Sequence, residues 1–269
     1  MAGPTTAERG GDRRQRPAGP RQPAGRPARL LGLRRRTAVL LLAVLAVLLG
    51  GFGAWALYGS NWLRIERVSV HWQQGPRELT EEQIIEAASV PVGSPMASLD
   101  KGAVRDRLLE RLPRLESVEV VRGWPHGVTL KVTEREPELL VPRSGGYTQV
   151  DDDGVAFAET RSRLPGVPVL EMALEDSPSR HRFDEERVLR HVAAMAAELP
   201  AELRDQVRLI RVTSYDALTL QLTGDRTVRW GSPEDTRAKA EALARVMDAA
   251  GEAAYFDVSV PSAPAVSGG

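Results

Sequence analysis

Cysteine is absent from the chain. That excludes disulfides, zinc–thiolate sites, iron–sulfur clusters and a cysteine nucleophile. It leaves the compartment open, because an extracytoplasmic domain large enough to bury a core manages without disulfides. Histidine is scarce, and His71, His126, His181 and His191 stand too far apart in sequence to share a metal by local spacing. No Gly-x-Ser-x-Gly elbow, His-Glu-x-x-His or Walker motif occurs. Glu134 with Glu136, and Glu185 with Glu186, read as ordinary surface carboxylates, since acid–base catalysis needs a shaped pocket and shifted pKa values. Asp151-Asp152-Asp153-Gly154 lacks the later oxygen ligands of a calcium loop and reads as a tight turn. Trp124, before Pro125, reads as a cap on a small core. The expectation is no catalytic residue, no metal, no cofactor, no small-molecule substrate and no enzymatic activity.

Charge is also missing from residues 37–59, while each flank is strongly charged. Residues 1–36 hold ten arginines against Glu8 and Asp12, a balance of +8. Residues 60–269 hold 26 Lys/Arg against 34 Asp/Glu, a balance of −8. The uncharged stretch is long enough for one helical crossing of a bilayer, which takes about 20 residues. Arg34, Arg35 and Arg36 stand just before it and fix its orientation, N-terminus in the cytoplasm. Trp55, Tyr58 and Trp62 fall where an aromatic belt meets the outer interface. A cleaved signal peptide is the competing reading, with Ala54-Trp55-Ala56 as a loose cleavage site. The length of the apolar run and of the segment before it favours an uncleaved anchor. The basic tail has no interleaved aromatics, so it reads as a disordered segment near anionic lipid and not as a nucleic-acid arm.

Residues 60–136 read as a small α/β unit. Ile65 to Val70 alternate as a strand, and Thr80-Glu81-Glu82-Gln83 has capping-box spacing for a helix with Ile84, Ile85 and Ala88. A second helix starts near Ser98 or Asp100, with Val104, Leu108 and Leu112 on one stripe. Two strands follow, one carrying Val118 and Val120 and one carrying Val128, Leu130 and Val132. The order is β-α-α-β-β. Residues 137–261 read as a second unit. A hairpin turns at Asp153-Gly154, a polar loop covers 171–182, and Asp184 caps a helix with Val188, Val192, Met195 and Leu199. Strands at 207–213, 218–222 and 227–230 form an antiparallel meander. Ser232-Pro233-Glu234-Asp235 starts a helix, and Tyr255-Phe256-Asp257-Val258-Ser259-Val260 alternates as a closing strand stopped by Pro261. Residues 262–269 read as a disordered tail. The fold class is α+β: basic tail, one transmembrane helix, a small α/β domain, then a mixed domain with an antiparallel sheet.

This order resembles the FtsQ family of bacterial cell-division proteins, called DivIB in some Gram-positive bacteria, whose first domain is of the POTRA type. The segments that carry the likeness are Val90-Pro91-Val92-Gly93-Ser94-Pro95-Met96, Leu115-Glu116-Ser117-Val118-Glu119-Val120-Val121-Arg122-Gly123-Trp124-Pro125 and Val128-Thr129-Leu130-Lys131-Val132-Thr133-Glu134-Arg135-Glu136-Pro137. Val150-Asp151-Asp152-Asp153-Gly154-Val155, Leu164-Pro165-Gly166-Val167-Pro168-Val169-Leu170, Gly231-Ser232-Pro233-Glu234-Asp235 with Lys239 and Leu243, and Phe256-Asp257-Val258-Ser259-Val260-Pro261 complete it. The arginine-, alanine- and glycine-rich composition suits an actinobacterium. The resemblance implies a bitopic scaffold of the division machinery, at the septum, that binds FtsB- and FtsL-type proteins outside the membrane and serves septal peptidoglycan synthesis. Carried over by position, the FtsB-type contact falls on Tyr255, Phe256, Asp257, Val258, Ser259, Val260 and Pro261, where a strand at a sheet edge invites a partner strand. The alternative is a POTRA-bearing protein of an export or assembly system.

Overall fold

The computed structural model describes residues 28–59, 61–174 and 184–268. The basic tail expected before residue 28, and most of the loop expected over 171–182, lie outside the described residues. The described residues divide into two units, one up to residue 55 and one from residue 56 on.

In the first unit, helix α1 runs Ala28–Ala54 and is followed by a π-helical turn, Trp55–Gly59. The helix therefore starts before the expected boundary at residue 37 and takes in the backbone of Arg34, Arg35 and Arg36. Leu, Ala and Arg all favour helix, so nothing in that stretch stops it. The span long and apolar enough to cross a membrane is Arg35–Gly59, and none of it is buried in protein.

The second unit starts with a three-stranded sheet of order β1-β3-β2, formed by β1 (Arg67–Gln74), β2 (Leu115–Gly123) and β3 (Gly127–Glu134). β1 is parallel to β3, and β2 is antiparallel to it. Helices α2 (Glu81–Ala88) and α3 (Lys101–Arg111) cover one face. Thr80 closes a full capping box with Gln83, and Asp100 accepts from the Ala103 amide, so both sequence-level caps hold. The core joins Ile84, Val104, Leu108, Val118, Val120 and Leu130. Two expectations shift. β1 starts at Arg67, because Ile65 is bound instead to the backbone of Gly93 and Ser94. Trp124 stays 53% exposed at the tip of the β2–β3 hairpin and caps no core, since the tip extends past the last cross-strand pair.

The rest of the unit is a nine-stranded sheet ordered β12-β11-β10-β9-β8-β7-β4-β5-β6, with β11 at Tyr255–Asp257 and β12 at Ala265–Ser267. β4 (Leu139–Arg143), β5 (Gly146–Val150) and β6 (Ala156–Thr160) form an antiparallel run. β7 (Val169–Met172) joins this run to β8 (Val207–Ser214) through parallel pairs. β8, β9 (Ala217–Leu222) and β10 (Thr227–Gly231) are the expected antiparallel meander. Helices α4 (Glu185–Ala197), the short α5 (Ala201–Arg204) and α6 (Thr236–Ala249) complete the domain. Val192 and Met195 of α4 and Leu243 of α6 pack in one core with Ile210, Leu220 and Trp230.

The start of α6 differs from expectation. Its cap is Asp235, at φ 56°, and not Ser232. The Ser232 carbonyl and hydroxyl instead accept from Lys239 Nζ at 2.8 and 3.2 Å. Burial pulls the Lys239 pKa down, against the opposing pull of Asp235, Glu234 and Asp216.

Candidate protein-binding edge

The sequence singles out residues 255–261, and the structure builds them in two parts. Tyr255–Asp257 alone is strand, β11, paired in parallel with β10. The ladder starts with the Thr227 amide on the Ala254 carbonyl at 2.8 Å and ends with the Val258 amide on the Arg229 carbonyl at 3.0 Å. Beyond that point the chain bends. Asp257 Oδ1 accepts from the Ser259 amide at 3.0 Å and its hydroxyl at 2.6 Å, an Asx-type turn that competes with strand geometry. The alternation through Val260 therefore overstates the strand by three residues.

Gly231 makes room for this bend. It ends β10 at a break in register, at φ 81°, and a Cβ there would lie 2.8 Å from that of Ser259. Asp257 Oδ2 accepts from Arg229 at 3.2 Å. Burial alone would raise the Asp257 pKa. The Ser259 hydrogen bonds and the Arg229 guanidinium outweigh it and hold the carboxyl below its ordinary value.

The structure also decides the facing. Phe256 and Val258 are fully buried, while Tyr255 is 38% and Val260 56% exposed. Val260 thus leaves the face it shares with Phe256 in the sequence pattern, because the Asx turn intervenes.

A second correction concerns the edge itself. Residues expected as disordered tail include a strand, β12 (Ala265–Ser267), antiparallel to β11 in the register Tyr255↔Ser267, Phe256↔Val266, Asp257↔Ala265. β11 is therefore one strand in from the edge. Three small or β-branched residues were too short a run to read as a strand.

At the other side of the sheet, the two sheets meet. Arg135, just after β3, bonds the buried Asp151 and the Pro113 carbonyl. Asp151 also takes the Val155 amide at 2.7 Å, so the Asp-rich turn is a structural corner. The Arg114 guanidinium lies 5.5 Å from the ring centre of Phe157. Burial raises the pKa of Glu138 nearby, with Arg204 opposing. Glu134, read as a surface carboxylate, is buried and takes Trp72 Nε1 and the amides of Glu78 and Leu79. Among the described residues, no group of three or more His, Asp or Glu is placed to hold a metal ion. His191 is half-buried, with its ring edge-on to Tyr215 at 5.5 Å.

Residues 63–135 match the family model of the FtsQ-type POTRA domain, and residues 139–259 match that of the C-terminal part of cell division protein FtsQ/DivIB. The chain belongs to the FtsQ/DivIB family of cell division proteins. Its relatives include cell division protein FtsQ of Streptomyces collinus, 52% identical with both chains covered in full, and that of Streptomyces coelicolor, 47% identical over the same extent. FtsQ of Mycobacteroides abscessus is 30% identical, over 90% of this chain and 72% of its own. A solved extracytoplasmic domain of DivIB from Geobacillus stearothermophilus aligns over 44% of this chain and 95% of its own, at 14% identity and a TM-score of 0.33, too low to bear on the fold. The three-stranded sheet with α2 and α3 is thus the POTRA domain. β12 lies beyond the end of the C-terminal family match.

Proposed function

We propose that this FtsQ/DivIB family member is a bitopic scaffold of the division machinery. α1 anchors it in the cytoplasmic membrane, with Arg34, Arg35 and Arg36 held on the cytoplasmic side, and places both domains outside. The protein concentrates at the septum, binds FtsB- and FtsL-type bitopic proteins there, and links their assembly to septal peptidoglycan synthesis. It turns over no substrate and binds no nucleic acid. Residues Tyr255, Phe256, Asp257, Val258, Ser259, Val260 and Pro261 form the FtsB-type contact.

One observation supports this contact above the others. Phe256 and Val258 lock the segment into the core while Tyr255 and Val260 remain exposed beside the last strands of the sheet. A rigidly seated strand with free outward side chains is what strand addition uses, because main-chain bonds supply affinity and alternate side chains supply choice of partner.

The test is co-purification of the full chain, in detergent, with the FtsB-type partner. Val260→Asp puts a charge on an exposed position and leaves the core alone. It should lower the recovered complex at least tenfold, whereas Val155→Asp, exposed beside β6 at the far end of the sheet, should not. Undiminished recovery with Val260→Asp would refute the contact. Depletion in vivo should give filaments without septa, and normal septation would refute the division role.

A further inference from the structure

We propose that the chain's own last strand, β12, is a placeholder: in the free protein it occupies the edge of β11 on which a partner strand adds, and the partner must displace it. This inference rests on the reading of residues 255–261 as the partner contact.

Three observations carry it. The ladder is complete along β11: all three residues pair with β12, and the Ala254 amide donates to the Gly268 carbonyl at 2.9 Å beyond the strand end. A partner cannot use these backbone groups while β12 holds them. Second, β12 is held by that ladder and little else. Ala265, Val266 and Ser267 are all exposed, so none contributes a buried side chain. Net gains from backbone hydrogen bonds exchanged with water are small, so such a strand is readily exchanged. It stays in place because it is intramolecular. The Ala263 amide donates to the Val260 carbonyl at 3.0 Å and turns the chain back within a few residues, which keeps the local concentration of the strand high.

Third, the strand fits its place poorly. Val266 pairs with Phe256, and beside it lies an open groove of about 470 Å³, walled by Ala249 at the end of α6, by Ala250, Glu252 and Ala253 after it, and by β12 itself. A valine leaves that groove unfilled. A competing strand with a larger apolar side chain opposite Phe256 would fill it and add burial that the tail lacks. The partner segment is accordingly an extended strand with a large aliphatic or aromatic residue at that register, flanked by small or polar ones.

The experiment measures affinity of the full-length protein in detergent for the extramembrane domain of the FtsB-type partner. One form ends at Pro261. Another carries Tyr255→Cys with Ser267→Cys, two exposed, directly paired positions in a chain with no other cysteine. If the tail covers the edge about nine-tenths of the time, its removal tightens binding about tenfold, because apparent affinity is scaled by the open fraction. Whatever the loss of Tyr255 itself costs, the oxidised double variant should bind at least a hundredfold more weakly than the same variant reduced. Unchanged or weaker binding after truncation overturns the placeholder, and so does equal binding of the oxidised and reduced forms. Val260→Asp in the truncated chain separates the two claims. If it abolishes binding while truncation changes nothing, the contact stands and the placeholder falls. If it has no effect, the contact falls and takes the placeholder with it.

Discussion

Glu134 ends β3 with its carboxylate turned inward, where three donors meet it: Trp72 Nε1 at 3.1 Å, the Glu78 amide at 2.9 Å and the Leu79 amide at 3.2 Å. It is the one acid in an otherwise apolar inward row of Val128, Leu130 and Val132. A carboxylate in that row violates the strand pattern, and only the donors make it tolerable. Removing it leaves two backbone amides and an indole without an acceptor. Glu134→Ala should cost about 3 kcal/mol, and Glu134→Gln, which keeps one acceptor oxygen, about half of that. Urea unfolding of the part after residue 60 checks both, and a loss below about 1 kcal/mol for the alanine would contradict the role given to the carboxylate. Such a residue is invisible to sequence reading because its partners come from β1 and the segment before α2, more than fifty residues away. The Arg135–Asp151 pair is equally illegible, because its halves, though only 16 residues apart, belong to two different domains.

Elements fixed by local chemistry were legible, and elements fixed by distant partners were not. Thr80, Asp100 and Asp184 each bond an amide three residues on, so short-range spacing reveals them. The inward rows of β2, β3, β9 and β10 show as period two because one face meets a core. β4 was hidden by Pro142, tolerated because β7 pairs with β4 only at Leu140, before the proline is reached. The alternation through Val260 overstates the closing strand because Asp257 turns the chain with its own side chain. That turn gives β11 a pH dependence. The folded Asp257 pKa lies below the unfolded value of about 3.9. A depressed folded pKa contributes stability that is present above the unfolded pKa and is lost as pH falls through the folded one. The stability difference between the wild type and Asp257→Asn should therefore be constant from about pH 7 to 5 and shrink below about pH 4. Urea midpoints across that range measure it, and a difference independent of pH would show that the carboxylate charge is not what holds the turn.

At the scale of the molecule, the POTRA domain and the C-terminal domain are separate family modules with separate cores, yet residues 56–269 form one compact unit. Arg135 ties the two domains together within that unit. It reaches from the end of the POTRA domain to Asp151, whose side chain is 3% exposed, and to the carbonyl of Pro113 after α3. Asp151 in turn fixes the β5–β6 corner through the Val155 amide. Arg135→Ala would leave a buried carboxylate without its counter-charge, a change that costs about 3–5 kcal/mol. Removing both partners should cost less than removing the arginine alone, since no unpaired charge then remains. The variant should also separate what the wild type couples. Hydrogen exchange in urea should show β3 and β5 opening together in the wild type and at different concentrations in Arg135→Ala, with β5 opening first because it loses its corner. Joint opening in the variant would mean that the packing of Arg114 on Phe157 alone is enough to bind the two domains into one body.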